Sequence, residues 1–193
     1  MRSSLICPIS GCPRRVDVDS MPPNVQREIL DGEVYTHPRP WPSHMRTATI
    51  LGGHLSSPFD SGWRGPGGWW ILIRPGIALP DSPEVVPDVA GWRRERMPHL
   101  PEEASTLAPD WVCEILSPST RNYDQRIKKP FYAKHGVTWC WIVDPEAHVL
   151  TAHRLRNGRW HDLGTWGDDE RVSIEPFDAI ELPLADLWLP SDA

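Results

Sequence analysis

Residues 110–132 read DWVCEILSPSTRNYDQRIKKPFY. In a strand, successive side chains point to opposite faces, so Trp111, Cys113 and Ile115 share one side and Val112, Glu114 and Leu116 the other. Both faces are otherwise apolar. The pattern therefore predicts a central strand covered on both sides, with Glu114 buried inside it. An ionised carboxylate left unpaired in such a place is costly and tends to take up a proton. Two readings follow: a structural ion pair with a basic side chain, or a ligand for a metal ion. Downstream, the sequence predicts a helix over 124–135 ending at Gly136. Pro130 either kinks this helix or begins it anew at a first-turn position. A strand, TWCWIVD (138–144), follows.

Two aspartates upstream compete to accompany Glu114. Asp110 is four residues away on the same strand, about 13 Å, too far to share an ion. It reads as a strand-start residue. Asp88, in VVPDVAGW, lies on a different predicted strand and comes beside Glu114 if the two strands pair. Downstream, Asp124 and Lys128 are neighbours on one helical face, and Tyr132 returns to that face. Lys129 points about 100° away. Asp124 reads as a positioning partner for Lys128. Two carboxylates from neighbouring strands and a lysine are what metal-assisted phosphodiester hydrolysis requires. Oxygen ligands suit Mg2+ or Mn2+, the ion activates water, and the lysine orients that water or offsets transition-state charge.

Around this core, the 193 residues suffice for one domain. Residues 1–24 show no periodicity and read as a flexible N-terminal extension, with Met1 or Met21 as the natural start; 25–193 read as a single domain. The 22 prolines and 11 tryptophans favour short elements joined by rigid turns over long helices. REILDGEVYTHP predicts a strand interrupted by the Asp31-Gly32 turn. Ser43 is the expected cap of a helix carrying Ala48, Leu51 and Leu55 on one face, with Gly52 and Gly53 weakening it. WWILIR (69–74), IALP and EVVPDVAGW (84–92) read as three strands, and the polar, proline-broken 93–109 as a long exposed loop. Asn157-Gly158 marks a hairpin between HVLTAHRLR and RWHDLG. The expected class is α+β with an α/β-type core: a mixed sheet flanked by helices, with an added β-hairpin.

The formal charge of -6 weighs against a strongly basic nucleic-acid binder. A local track could still arise if Arg93, Arg94 and Arg96 joined Arg121, Arg126, Lys128, Lys129 and Lys134 along one cleft. Cys7 and Cys12 lack the second half of a zinc site, and Cys113 and Cys140 read as buried thiols. His148, His153 and His161 lack ligand spacing. A reducing cytoplasm and no membrane association are expected, since no segment approaches a spanning length.

The combined pattern of Pro-Asp at 87–88, ILSPST after Glu114, Asp124, Lys128, Tyr132, Gly-Val at 136–137 and WIVDP resembles the Uma family. That is a group of restriction-endonuclease-like proteins within the PD-(D/E)XK nuclease superfamily. The similarity spans roughly 25–190 and is densest over 84–145. It implies a restriction-endonuclease-like fold and a metal held by Asp88, Glu114 and the backbone carbonyl of Ile115. Where many superfamily members carry the lysine, this chain has Leu116, so the resemblance moves that role to Lys128. It further suggests that Glu33, from Asp31-Gly32-Glu33, and His44, after a proline-rich turn, line the same cleft. The implied activity is a Mg2+- or Mn2+-dependent DNA endonuclease, expected as a homodimer because duplex cutting needs two active sites. A non-catalytic module that keeps the fold and binds nucleic acid or protein is the alternative. A hydrolase of smaller phosphorylated substrates is a third.

Overall fold

The computed structural model describes residues 25–190; the expected extension over 1–24, with Cys7, Cys12 and Met21, lies outside them. Strands β1 (Val25–Leu30) and β2 (Glu33–Pro38) form a hairpin in full register. Its turn is the expected Asp31-Gly32, both with positive φ. WWILIR supplies β3 (Trp69–Ile73) and IALP supplies β4 (Ile77–Leu79). The stretch read as one strand over 84–92 is two: β5 (Ser82–Val85) and β6 (Val89–Arg93). Pro87 accounts for the break, because it offers no N–H to a ladder. The break lets the chain change sheets. β5 belongs to a four-stranded sheet ordered β2-β1-β5-β4.

β6 enters a six-stranded sheet with β3, β7 (Trp111–Ile115), β8 (Trp139–Asp144), β9 (Val149–Arg156) and β10 (Arg159–Gly167). The order is β10-β9-β8-β7-β6-β3. Only β7 and β8 run parallel in it, and a helical crossover joins them, as a parallel pair demands. Asn157 and Gly158 both take positive φ, which a two-residue I′ hairpin requires. The hairpin they turn, β9–β10, continues the central sheet. A two-stranded ribbon, β11 (Arg171–Val172) and β12 (Leu182–Pro183), completes the strands.

Helix α1 (Pro42–Leu55) starts one residue before the expected cap. Trp41 occupies the cap position and Pro42 the first turn, where its fixed φ suits a helix start. Ala48, Leu51 and Leu55 are buried together as their spacing predicted. Gly52, which weakens the helix in isolation, has a packing role: a Cβ there would meet the Ile73 side chain at 2.9 Å. Its absence lets α1 lie close to β3.

The crossover between β7 and β8 begins three residues earlier than expected. It consists of α2 (Arg121–Tyr123), a π turn (Asp124–Lys128) and α3 (Lys129–Lys134). In an uninterrupted α-helix the residue at 130 would donate to the carbonyl of 126, and proline cannot. The wider π turn ends where Pro130 enters the first turn of α3.

The central sheet separates two cores. Trp111, Cys113 and Ile115 pack with Leu51 and Leu55 of α1 and with Phe177. Val112 and Leu116 pack with Phe131 and Tyr132 of α3 and with Val85 and Ile77 of the smaller sheet. Trp111 meets Trp141 and Phe177 edge-on, with centroids 5.3 and 4.9 Å apart. Cys113 and Cys140 are buried free thiols in different cores. The 93–109 segment is exposed over most of its length, as expected, with buried anchor points. Met97 and Ser105 are buried, and Ser105 bridges to Ile77.

The crossover is tied down where it starts. Arg121 binds both oxygens of Asp144, and the Ala147 amide donates to the same carboxylate. Burial disfavours the Asp144 charge, but Arg121 and the amide outweigh it and hold the pKa below its ordinary 3.8. A depressed carboxylate contributes stability above its unfolded pKa and loses it as pH falls through the folded one. Asp144→Asn should therefore cost about 1 kcal/mol at pH 7, a modest figure because Arg121 is partly exposed. Urea melts at pH 7 and pH 3 should show the gap between wild type and variant closing at the lower pH.

Candidate active site

Glu114 is 1% exposed, in the middle of β7. The β6–β7 register sets Val89 opposite Cys113, and one further step brings Asp88 opposite Glu114 on the same face. Asp88 is held from several sides. Its Oδ2 accepts the Ile115 amide at 2.9 Å, His44 Nε2 lies 3.1 Å from it, and Arg74 Nη1 is 3.3 Å from Oδ1. His44 stands in the first turn of α1, so the helix start and the Pro87 break meet at this carboxylate. Burial works against both charges, but the His44–Asp88 contact lowers the Asp88 pKa and raises that of His44.

Lys128 ends the π turn and is 2% exposed. Its ammonium has three acceptors: Glu114 Oε1 at 2.8 Å, Glu28 Oε1 at 3.2 Å and the Val86 carbonyl at 2.9 Å. The Tyr132 hydroxyl donates to the same Glu114 oxygen. Burial opposes the lysine's charge, yet Glu114 and Glu28 together hold its pKa well above the usual range. Burial pushes Glu114 up, Lys128 pulls it down, and Asp88, Asp124 and Glu28 push it up again, leaving it raised.

Asp124, the expected partner of Lys128, is buried but forms no ion pair with it. The reason is stoichiometric: an ammonium has three protons, and Glu28, Glu114 and Val86 take them. Asp124 is instead pushed up to about 6, chiefly by burial. Glu33 is exposed at the start of β2, away from the cavity that His44 and the other acids line. The hairpin's contribution is Glu28, on β1, five residues earlier. Sequence reasoning missed it; the signal was a glutamate in a strand whose neighbours, Ile29 and Leu30, are apolar. Glu28 Oε1 also accepts the Val86 amide at 2.7 Å, so both polar groups of Val86 serve the cluster.

These groups surround a small cavity of about 50 Å³ bounded by the β1–β2 hairpin, α1 and the crossover. Glu28, Asp88, Glu114 and Asp124 face Lys128, Arg74 and His44, an acidic excess while all are ionised. Asp88 and Glu114 are hard oxygen donors of the kind a divalent cation takes, and the acidic residues around them would favour its charge; the Ile115 group that meets Asp88 is its amide N–H. Among the described residues no group of three or more His, Cys, Asp or Glu side chains is arranged as ligands.

A comparison of the chain with family models matches residues 15–185 to Uma2, described as "putative restriction endonuclease". The chain belongs to the Uma2 family. Among solved structures, a "putative nuclease" of DUF820 from Anabaena variabilis is similar in fold, with a TM-score of 0.64 and 22% sequence identity. The likeness covers 83% of this chain and 88% of that one. No curated protein matches.

In this Uma2 chain the expected basic track does not assemble. Arg93, Arg94 and Arg96 lie at the other end of β6 from Asp88, about 17 Å along the strand. They are also engaged: Arg93 over Trp69 and Trp139, Arg94 with Asp60 at 2.6 Å, Arg96 with Asp110 at 2.8 Å. On the crossover, Arg121 is bound to Asp144, Lys134 lies 2.6 Å from Asp31 and Lys129 2.7 Å from His153. Only Arg126 of that group is exposed without an ion pair among the described residues. His148 stacks on Trp188, His153 is buried against Lys129, and His161 is exposed. No helix among the described residues is long and apolar enough to cross a membrane.

The two candidate glutamates of the hairpin should separate cleanly. Removing one partner of a buried ion pair typically costs about 3–5 kcal/mol, whereas an exposed substitution stays within about 0.5 kcal/mol. Chemical denaturation should place Glu28→Ala in the first class and Glu33→Ala in the second.

Proposed function

We propose that this chain is a metal-dependent endonuclease that hydrolyses phosphodiester bonds in DNA. The observation that carries the reading is Asp88 set against β7 beside Glu114, its carboxylate 2.9 Å from the Ile115 amide, with the Lys128 ammonium 2.8 Å from Glu114. Asp88, Glu114 and the Ile115 carbonyl are the groups that would hold Mg2+ or Mn2+. When bound, the ion supplies an activated water and stabilises charge on the phosphate. His44 and Arg74 fix the Asp88 carboxylate, and Tyr132 fixes Glu114. Lys128 keeps a positive charge beside the reacting phosphate, held in place by Glu28 and Val86. Cutting both strands of a duplex calls for a second copy, so a homodimer belongs to the same proposal, and its mass in solution tests that part.

A specific observation favours the second reading, a non-catalytic module on a nuclease fold. Every proton of Lys128 already has an acceptor within the protein. A lysine used only to hold a fold together would look the same.

Supercoiled plasmid incubated with the protein and Mg2+ or Mn2+ decides between them. Wild type should nick or linearise it. Asp88→Asn and Glu114→Gln should each slow cleavage by about 100-fold or more, the order seen when a charge-stabilising group is removed. Cleavage persisting in both variants would sink the assignment. Calorimetry showing no Mn2+ binding to wild type would favour the module.

A further inference from the structure

The segment Pro38-Arg39-Pro40-Trp41-Pro42 leads from the hairpin into α1 along the rim of the acidic cavity. Trp41 is 74% exposed, the largest value among the exposed apolar side chains. It lines the cavity with Arg39 and stands three residues before His44, which contacts Asp88. The other tryptophans are largely accounted for. Trp92, Trp111 and Trp141 are in the cores, and the indoles of Trp70, Trp160 and Trp188 donate to backbone carbonyls. Trp41 makes no aromatic pair among the described residues. Alternating prolines restrict the backbone on both sides of it, so the indole is displayed from a stiff support.

We infer that Trp41 is a stacking platform for an unpaired nucleotide next to the scissile phosphate, with Arg39 contacting the backbone. The inference rests on the nuclease reading and narrows its substrate. Duplex binding draws mainly on many Lys and Arg contacts to phosphates. Here most of the basic side chains that could supply them are engaged within the protein, Arg126 excepted, and one of the two groups sits at the far end of β6. Base–aromatic stacking adds about 1–3 kcal/mol per base from a contact that is not made to phosphate. The cavity is small, about 50 Å³, which suits a single phosphate presented by a strand free to bend toward it. The unpaired nucleotide could come from a single strand or from an interrupted duplex.

Fluorescence anisotropy with labelled oligonucleotides tests this in the presence of Ca2+, using the full chain so that binding is read apart from cleavage. Three probes of one sequence are used: a single strand, a perfect duplex and a duplex with a central unpaired bulge. The single strand and the bulge should bind at least about tenfold more tightly than the duplex. Trp41→Ala should lose about tenfold on both, the order of one lost base–aromatic stack. Trp41→Phe should retain most of the affinity, and Trp63→Ala, an exposed tryptophan off the cavity, should change nothing. Tightest binding to the perfect duplex, or no effect of Trp41→Ala, would overturn the inference. So would a dimer abolished by Trp41→Ala with no oligonucleotide bound, which would assign the indole to a second copy of the chain. Loss of metal-dependent cleavage at Asp88 with stacking intact would support the nuclease reading; stacking intact with no cleavage by wild type would remove that reading alone.

Discussion

The Lys128 ammonium organises this molecule. A buried cation can exist only where acceptors meet it, and here they come from separate parts of the chain: Glu28 from the first hairpin, Val86 from the junction between sheets, and Glu114 from the central strand. The three contacts join the four-stranded sheet to the six-stranded one across the crossover. Each acceptor is itself constrained, Glu28 by the Val86 amide and Glu114 by Tyr132. The low-dielectric setting strengthens these contacts and makes the loss of any one of them expensive.

Much of the fold was legible because it rests on local rules. The alternation around Glu114 gave a strand buried on both faces, and the turns at Asp31-Gly32 and Asn157-Gly158 marked their hairpins. The spacing of Ala48, Leu51 and Leu55 located α1. The failures had local causes of another kind. EVVPDVAGW kept its apolar pattern through Pro87, and hydropathy does not register the missing N–H that divides it between two sheets. The crossover contained a π turn, whose geometry departs from the 3.6-residue period used to place its side chains. The loop over 93–109 is exposed as its polarity indicated, but its anchors, Met97 and Ser105, are isolated residues in a polar run that the pattern does not single out.

The site was legible in part. Asp88, Glu114 and Lys128 stood out from strand pairing, burial and spacing, and the structure brings them together with His44. Glu28 was missed because its importance lies in a long-range contact: its apolar neighbours Ile29 and Leu30 were the one local cue, whereas Glu33 sits in the recognisable turn. The charge pairings were harder still. Asp124 looked like the natural partner of Lys128 at i and i+4, but local proximity counts for little once three better acceptors converge. The arginines of the loop likewise formed a basic run in sequence and a set of separate ion pairs in space.

The junction Val86-Pro87-Asp88 carries a consequence for how such a protein can diverge. Two of its backbone groups secure the interior cluster, while its aspartate projects toward the cavity. Substituting Asp88 leaves the Val86 contacts in place, whereas losing Lys128 strips both glutamates of their counter-charge. Selection for a folded chain alone would therefore preserve the lysine and its glutamates long after any chemistry had ceased. On the proposed function, the pair formed by Asp88 and His44 at the cavity wall is the part of the site that the lysine's ion pairs do not include. The more conspicuous lysine reports first on architecture.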